Sequence, residues 1–310
     1  MGQTILRKSR LNDKVLFIGN GINNLTNKES WGNLVADLRQ KVGKNEDAED
    51  LISQFPLVFE NLLNYGLINH RITNEYELKS IVAEKVKKIE SNEIHQRIIE
   101  INPAHTITTN YDFVLEKGYD VSNQSRISET RFSIFRKYVD SNSGRNFWHV
   151  HGDCLNPSTI NLGFEHYCGQ LQDMRNYVVS GTNYKTKNYH NDPLTKRLSS
   201  LKGEPESWID LIFTKEIHII GLCLDFIEID LWWLLTWRAK LIGQKHINLT
   251  NKIFYYIPEK YCGSSKGKIE LLENLAVVIK KINKEGKDFY NAVFDLIKPK
   301  TKSIKELLNS

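Results

Sequence analysis

Four short segments carry residue types suited to chemistry, and each closes an apolar run. They are Gly19-Asn20-Gly21, Thr109-Asn110-Tyr111-Asp112, His151-Gly152-Asp153 and Gly221-Leu222-Cys223-Leu224-Asp225. Glycine lets a backbone take positive φ and come close to a ligand, and a helix start behind it favours phosphate. Val15-Leu16-Phe17-Ile18 running into Gly19-Asn20-Gly21-Ile22-Asn23 thus reads either as a nucleotide-binding loop or as a plain turn. Asn24 stands where the full dinucleotide fingerprint has its third glycine. Asn110 offers both a donor and an acceptor, suited to a ribose hydroxyl, an amide or a water. The plainer reading of Asn110 and Asp112 is a strand-to-helix turn with Asp112 as its N-cap. His151 precedes a glycine at a strand end, where a neutral imidazole can act as a general base near physiological pH. His149 lies two residues earlier on the same strand, shares its face, and reads as a core histidine.

These segments need a scaffold, and the apolar pattern supplies one. Trp31, Leu34, Val35, Leu38 and Val42 fall on one helical face, with Ser30 as a cap. Residues 45–101 read as a helical insertion of three amphipathic stretches, carrying Phe55 to Leu63, Leu78 to Ile89 and Ile94 to Ile99. Asn102-Pro103 closes it, and 104–109 is a second core strand, followed by a short helix over 113–117. A strand at 131–135 and a third core strand, Phe147-Trp148-His149-Val150-His151, come next. Residues 154–213 form a mixed insertion, with helical signals at 165–177 and 205–213 and a mobile loop at 183–192. A buried strand at 216–221 leads to an apolar helix at 230–242, whose Trp232, Trp233 and Trp237 suit core or interface packing. Strands at 253–257 and 275–279 and a basic tail at 298–310 complete a single domain, 1–310. Strands alternating with helices predict an α/β fold, a parallel sheet with helices on both faces. In such a sheet the ligand crevice lies outside the carboxyl ends of the strands, so the four segments converge on one cleft.

The bulk numbers exclude several classes. Across 310 residues, 40% are apolar and 25% charged, ordinary for a soluble globular chain. Lys plus Arg number 42 against 37 Asp plus Glu, a spread +5 that reads as solvated surface, so direct nucleic-acid binding is not expected. Cys154, Cys168, Cys223 and Cys262 form no C-x-x-C pair, which argues against structural zinc and a disulfide framework, and no metal is expected. The N-terminus has no signal-peptide core and no apolar run approaches a membrane span, so a cytoplasmic protein is expected.

Taken in order, Gly19-Asn20-Gly21-Ile22-Asn23, Thr108-Thr109-Asn110-Tyr111-Asp112, His149-Val150-His151-Gly152-Asp153 and Ile220-Gly221-Leu222-Cys223-Leu224 resemble the sirtuin superfamily. The set is most similar to the sirtuin-like NAD-cleaving effectors of bacterial antiphage defence, over roughly residues 14–280. The resemblance implies a Rossmann-like domain with Gly19, Asn20, Gly21 and Asn23 along the dinucleotide loop. It implies Asn110 and Asp112 beside the nicotinamide ribose and His151 as the catalytic histidine, with Asn110 assisting catalysis. Gly221, Leu222 and Cys223 would replace the glycine-threonine-serine on the adenosine side. The four-cysteine zinc module and the longer glycine loop of protein deacylases are absent, which favours NAD+ hydrolysis to nicotinamide and ADP-ribose. Deacylation, ADP-ribosyl transfer and a non-catalytic NAD-binding subunit remain the alternatives. Because no sensor domain fits after residue 280, control is expected from a homo-oligomer or a separate partner, such as a HerA-like ATPase or an Argonaute-type protein.

Overall fold

The computed structural model describes residues 11–25, 31–44, 55–127, 134–184, 189–198, 201, 204–244 and 249–298. Strand β1 (Leu11–Ile18) is fully enclosed from Val15 to Ile18, as an unbroken apolar run at the centre of a parallel sheet should be. Val15 and Phe17 enter one core and Leu16 and Ile18 the other, the period-two alternation of an extended strand.

A 3₁₀ turn, Asn20–Leu25, leads to helices α1 (Trp31–Val42), α2 (Phe55–Ile68), α3 (Tyr76–Val86) and α4 (Glu93–Ile101). Then follow β2 (Pro103–Thr108), β3 (Val121–Asn123), β4 (Lys137–Asp140), β5 (Asn146–His149) and α5 (Phe164–Arg175). A small hairpin of β6 (Thr182–Tyr184) and β7 (Tyr189–Asn191) precedes α6 (Leu194–Arg197) and α7 (Trp208–Thr214). The chain continues with β8 (Glu216–Ile220), α8 (Ile229–Gly243), β9 (Ile253–Pro258), α9 (Lys266–Asn274), β10 (Val277–Ile282) and α10 (Gly286–Ile297).

Among the described residues the main sheet has eight strands in the order β10-β9-β8-β1-β2-β5-β4-β3. Strands β10 through β5 in that order are parallel, and β4 and β3 add an antiparallel edge. Starting from β1, the parallel strands run outward through β2 and β5, then restart on the other side through β8, β9 and β10. This is the doubly wound, Rossmann-like order, and its reversal between β1 and β8 is where such sheets open a ligand crevice.

Both faces of the sheet are covered. Ile94, Ile98 and Ile101 of α4 pack with Phe289, Val293 and Phe294 of α10 over one face. Trp208 to Phe213 of α7 and Leu231, Leu234 and Leu235 of α8 cover the other. A third core joins α1, α2 and α3 to Tyr111, Cys154, Ile160 and Leu162. These helices therefore rest on the segments beyond β2 and β5.

Several local expectations change. Residues 113–117 form successive turns, closed by Lys117 N–H to Val114 O and Tyr119 N–H to Glu116 O, and not a helix. Of the expected mobile loop at 183–192, residues 185–188 lie outside the described residues; on either side β6 and β7 pair, and Tyr189 packs edge-on against Phe135 and donates its hydroxyl to Glu206. Of the expected strand at 131–135, residues 131–133 lie outside the described residues, as does Ser30, and Ile134 and Phe135 are a bend. The third core strand stops at His149, so Val150 and His151 belong to the turn after it.

That turn depends on Gly152, which has φ +86° and lies so close to Thr159 that a Cβ would sit 2.1 Å from its carbonyl oxygen. Gly118 has φ +89° with open space around it. We expect Gly118→Ala to cost about 1–2 kcal/mol, the left-handed backbone penalty alone. Gly152→Ala should lose about 3 kcal/mol or more, because overlap adds to the same penalty. Urea denaturation of the two variants measures the difference, and equal losses would show that the Thr159 contact yields.

Candidate active site

The β1 and β8 loops meet without a side chain between them. A Cβ on Gly19 would lie 2.5 Å from Gly221 O and from Leu222 Cα, and one on Gly21 would lie 2.8 Å from Gly221 O. Gly19 N–H donates to Ile220 O at 3.0 Å and Gly21 N–H to Gly221 O at 2.8 Å. The glycines are thus required by packing between loops, and these two N–H groups are already committed within the protein. Gly221 itself has φ +66°, Leu222 is buried in the core, and Cys223 is exposed, with its carbonyl held by Lys268 at 2.8 Å. A ligand at this loop would meet the backbone of Leu222, not its side chain.

A polar network ties the first loop to the second. The Asn23 amide donates to Asp112 Oδ2 at 2.9 Å and to Asn20 Oδ1 at 2.8 Å, while its carbonyl oxygen meets His95 Nε2 at 3.1 Å. Asp112 Oδ1 accepts Val114 N–H at 3.0 Å, so both its oxygens are engaged. Burial raises its carboxyl pKa above the usual aspartate value, against the hydrogen bond from Val114. Asn23 and Asp112 accordingly tie the loop after β1 to the loop after β2.

Asn110 behaves differently. It is 6% exposed, and neither end of its carboxamide has a hydrogen-bond partner. Thr108 and His149 are register partners on β2 and β5, and Asn110 and His151 each lie two residues beyond them. Adjacent parallel strands therefore bring both residues to the same carboxyl edge of the sheet. His149 and His151 do not share a face, because the strand ends between them. His149 joins Glu116 at 2.9 Å and Asn110 O at 3.1 Å, stacked on Phe113.

His151 turns toward α8, where its Nε2 lies 2.9 Å from Asp230 Oδ2 and its Nδ1 3.8 Å from Glu228 Oε2. Tyr167 packs edge-on against the ring at 5.2 Å. The Tyr111 hydroxyl donates to Asn161 O at 2.7 Å, and Asn161 N–H donates to His151 O at 2.9 Å. Burial lowers the imidazole pKa, but the charge and hydrogen bond of Asp230, with Glu228 behind, outweigh it and leave it above the ordinary histidine value. The two carboxylates thus make this ring a stronger base than a solvated imidazole. Burial pushes the Glu228 carboxyl up to about 7, against the pull of His151. One oxygen of Glu228, one of Asp230 and both amide atoms of Asn161 lack partners.

Asp230, Glu228, Asn161, Tyr111 and Tyr167 were not among the residues expected from the sequence. The only available signal was Asp225, Glu228 and Asp230 spaced along the start of a helix, where acids ordinarily serve the helix dipole. Donor atoms of His151, Glu228 and Asp230 lie within 4.8 Å of one another, a spacing that a metal ion would also accept. Within the set His151 and Asp230 are joined by a hydrogen bond, and Glu228 stands 3.8 Å from the ring.

An unpartnered buried amide and a fully bonded one predict opposite stability effects. Asn110→Ala should remain within about 1 kcal/mol of the parent, because it deletes a group that gains nothing in the folded state. Asn23→Ala should cost about 2–3 kcal/mol, leaving buried atoms of Asp112 and His95 unpaired. Denaturation midpoints of the two variants test this. A large loss for Asn110→Ala would mean that its amide is structural.

The segment holding Asn110, His151 and Asn161 also carries the match to known proteins, since residues 104–206 fit the SIR2-like domain model. The chain is 28% identical over 148 residues to the NAD(+) hydrolase ThsA of Bacillus cereus (strain MSX-D12), an alignment covering 46% of this chain and 28% of that protein. It is 29% identical over 116 residues to Defense-associated sirtuin 2 of Bacillus subtilis, covering 36% of this chain and 11% of that protein. Less than a third of either relative is thus matched. The match to the SIR2-like domain model thus spans about a third of the chain, and it falls on the segment that follows β1 and its helices in the doubly wound sheet.

Proposed function

We propose that the protein is an NAD+ hydrolase that cleaves the bond between nicotinamide and ribose. The observation that carries this reading is that an unpartnered, buried Asn110 amide and the buried His151 follow adjacent strands at the carboxyl edge of a doubly wound sheet. The crevice at the β1–β8 reversal is the place for a dinucleotide in such a sheet. The names of the two relatives, one an NAD(+) hydrolase and one a defence-associated sirtuin, support NAD as substrate and a defensive role through NAD depletion. No helix among the described residues is long and apolar enough to cross a membrane, which is compatible with action in the cytoplasm.

The chemistry asks little of a general acid. The C1′–N bond breaks with its electron pair leaving on the nicotinamide nitrogen, which becomes neutral, and positive charge develops on the ribose. Positioning and charge stabilisation then dominate, together with a group that orients water and takes its proton. Asn110 can orient the ribose or the water through its free donor and acceptor, and His151 can engage the ribose hydroxyls or the water.

Incubating the purified chain with NAD+ and separating nicotinamide, ADP-ribose and cyclic products tests the reading. We expect nicotinamide release that falls at least about 100-fold in His151→Ala and in Asn110→Ala, each with an unchanged circular dichroism spectrum. Full turnover in either variant removes that residue from the mechanism. Binding of NAD+ without any cleavage would instead favour a non-catalytic NAD-binding subunit, and acyl removal or transfer to protein would favour the deacylase or transferase alternative.

A further inference from the structure

Resting on that reading, we propose that Asp230 is a positioning residue that fixes the tautomer of His151, and that Glu228 is the exit for the proton His151 takes. An ionised carboxylate only accepts hydrogen bonds, so the 2.9 Å contact with Asp230 Oδ2 requires the hydrogen to sit on Nε2 of His151. Nδ1 is then the nitrogen that can receive a proton, and it faces Glu228 Oε2 at 3.8 Å, beyond direct bonding. That oxygen and Asp230 Oδ1 have no partner, although Asp230 is fully buried. Glu228 keeps 15% of its side-chain surface exposed, against 2% for His151 and none for Asp230, although its Oε2 is buried. The arrangement thus runs inward from water as Glu228, His151, Asp230.

The proton balance closes. As the C1′–N bond breaks, a water oxygen bonds to C1′ and one water proton passes to His151 Nδ1. It continues to Glu228 and leaves to solvent, giving the single proton released when NAD+ becomes neutral nicotinamide and ADP-ribose. The groups facing His151 are Asp230 and Glu228 at the start of α8, the Tyr167 ring from α5, and the Tyr111 hydroxyl that Tyr167 reaches. Burial pushes both tyrosine hydroxyls further from ionisation, so the two carboxylates set the charge of the ring.

The test compares wild type, Asp230→Asn, Asp230→Glu and Glu228→Gln in full-length protein. NAD+ turnover is followed from about pH 5 to about pH 9, and His151 is titrated by imidazole NMR without NAD+. Asp230→Asn should lower kcat at least about 100-fold with KM within about threefold, and should move both the acidic limb and the NMR titration to lower pH. The sign follows from the charge, because Asp230 holds the imidazole pKa up and its neutral isostere does not. Asp230→Glu should recover part of kcat, and Glu228→Gln should lower kcat about tenfold. A lower kcat in Asp230→Asn with neither the limb nor the NMR titration moved would overturn the proposal, leaving Asp230 purely structural. Loss of activity in EDTA, restored by Zn²⁺, would overturn it in favour of coordination. A wild type that does not cleave NAD+ sinks the hydrolase reading, while the NMR comparison still decides whether Asp230 governs His151.

Discussion

The Gly19–Gly21 turn lies so close to the backbone at Gly221 and Leu222 that one added methyl would collide with main-chain atoms. This contact closes the seam between β1 and β8, the strands at which the winding of the sheet reverses. Two hydrogen bonds from glycine N–H groups lock it. It also sets where the chain after β8 can go, because Gly221 and Leu224 both turn through positive φ before α8 begins. That path brings Glu228 and Asp230 to His151 from across the sheet. A glycine-rich first loop in a doubly wound fold usually suggests a phosphate. Here it first serves to place the acidic start of a helix.

Much of the architecture was legible because burial writes itself into composition. Val15 to Ile18 are apolar on every position, and Ile217 to Ile220 on every position but His218, as a strand covered on both faces needs. The polar strand ends stood out against those runs, which is why Asn110 and His151 could be named from the chain alone. The carboxylates could not. Asp230 and Glu228 are separated from His151 by more than seventy residues, and at a helix start an acid is unremarkable. Asn161 falls in a stretch without periodicity, and its importance lies in an amide left without partners, which no spacing reveals. The turns at 113–117 escaped for a related reason. Phe113 stacks on His149 and Glu116 pairs with it, so tertiary contacts hold a segment whose local pattern suggests helix.

His149 and His151 show how two histidines two residues apart come to different fates. Each is buried and each has a carboxylate within 2.9 Å. His149 has both nitrogens engaged, one by Glu116 and one by a backbone carbonyl, and is sandwiched by Phe113 and the edge of Tyr138. Nothing about it awaits a ligand. His151 has one nitrogen engaged and the other held at 3.8 Å from a half-buried glutamate. Around it Asn110, Asn161, Glu228 and Asp230 carry buried polar atoms without partners.

Each such atom costs about 1–3 kcal/mol in the folded state, against a total stability of about 5–15 kcal/mol for a typical domain. A chain retains that cost where a bound molecule, water included, supplies the missing partners. Donors and acceptors are both present, two amides and two carboxylates, so the complement is a ligand rich in hydroxyl and amide groups. A ribose bearing a carboxamide-substituted ring has that composition. On the proposed reading, the stability cost and the recognition of NAD are one property of the same residues, felt by the free protein as lost stability and by the ligand as affinity.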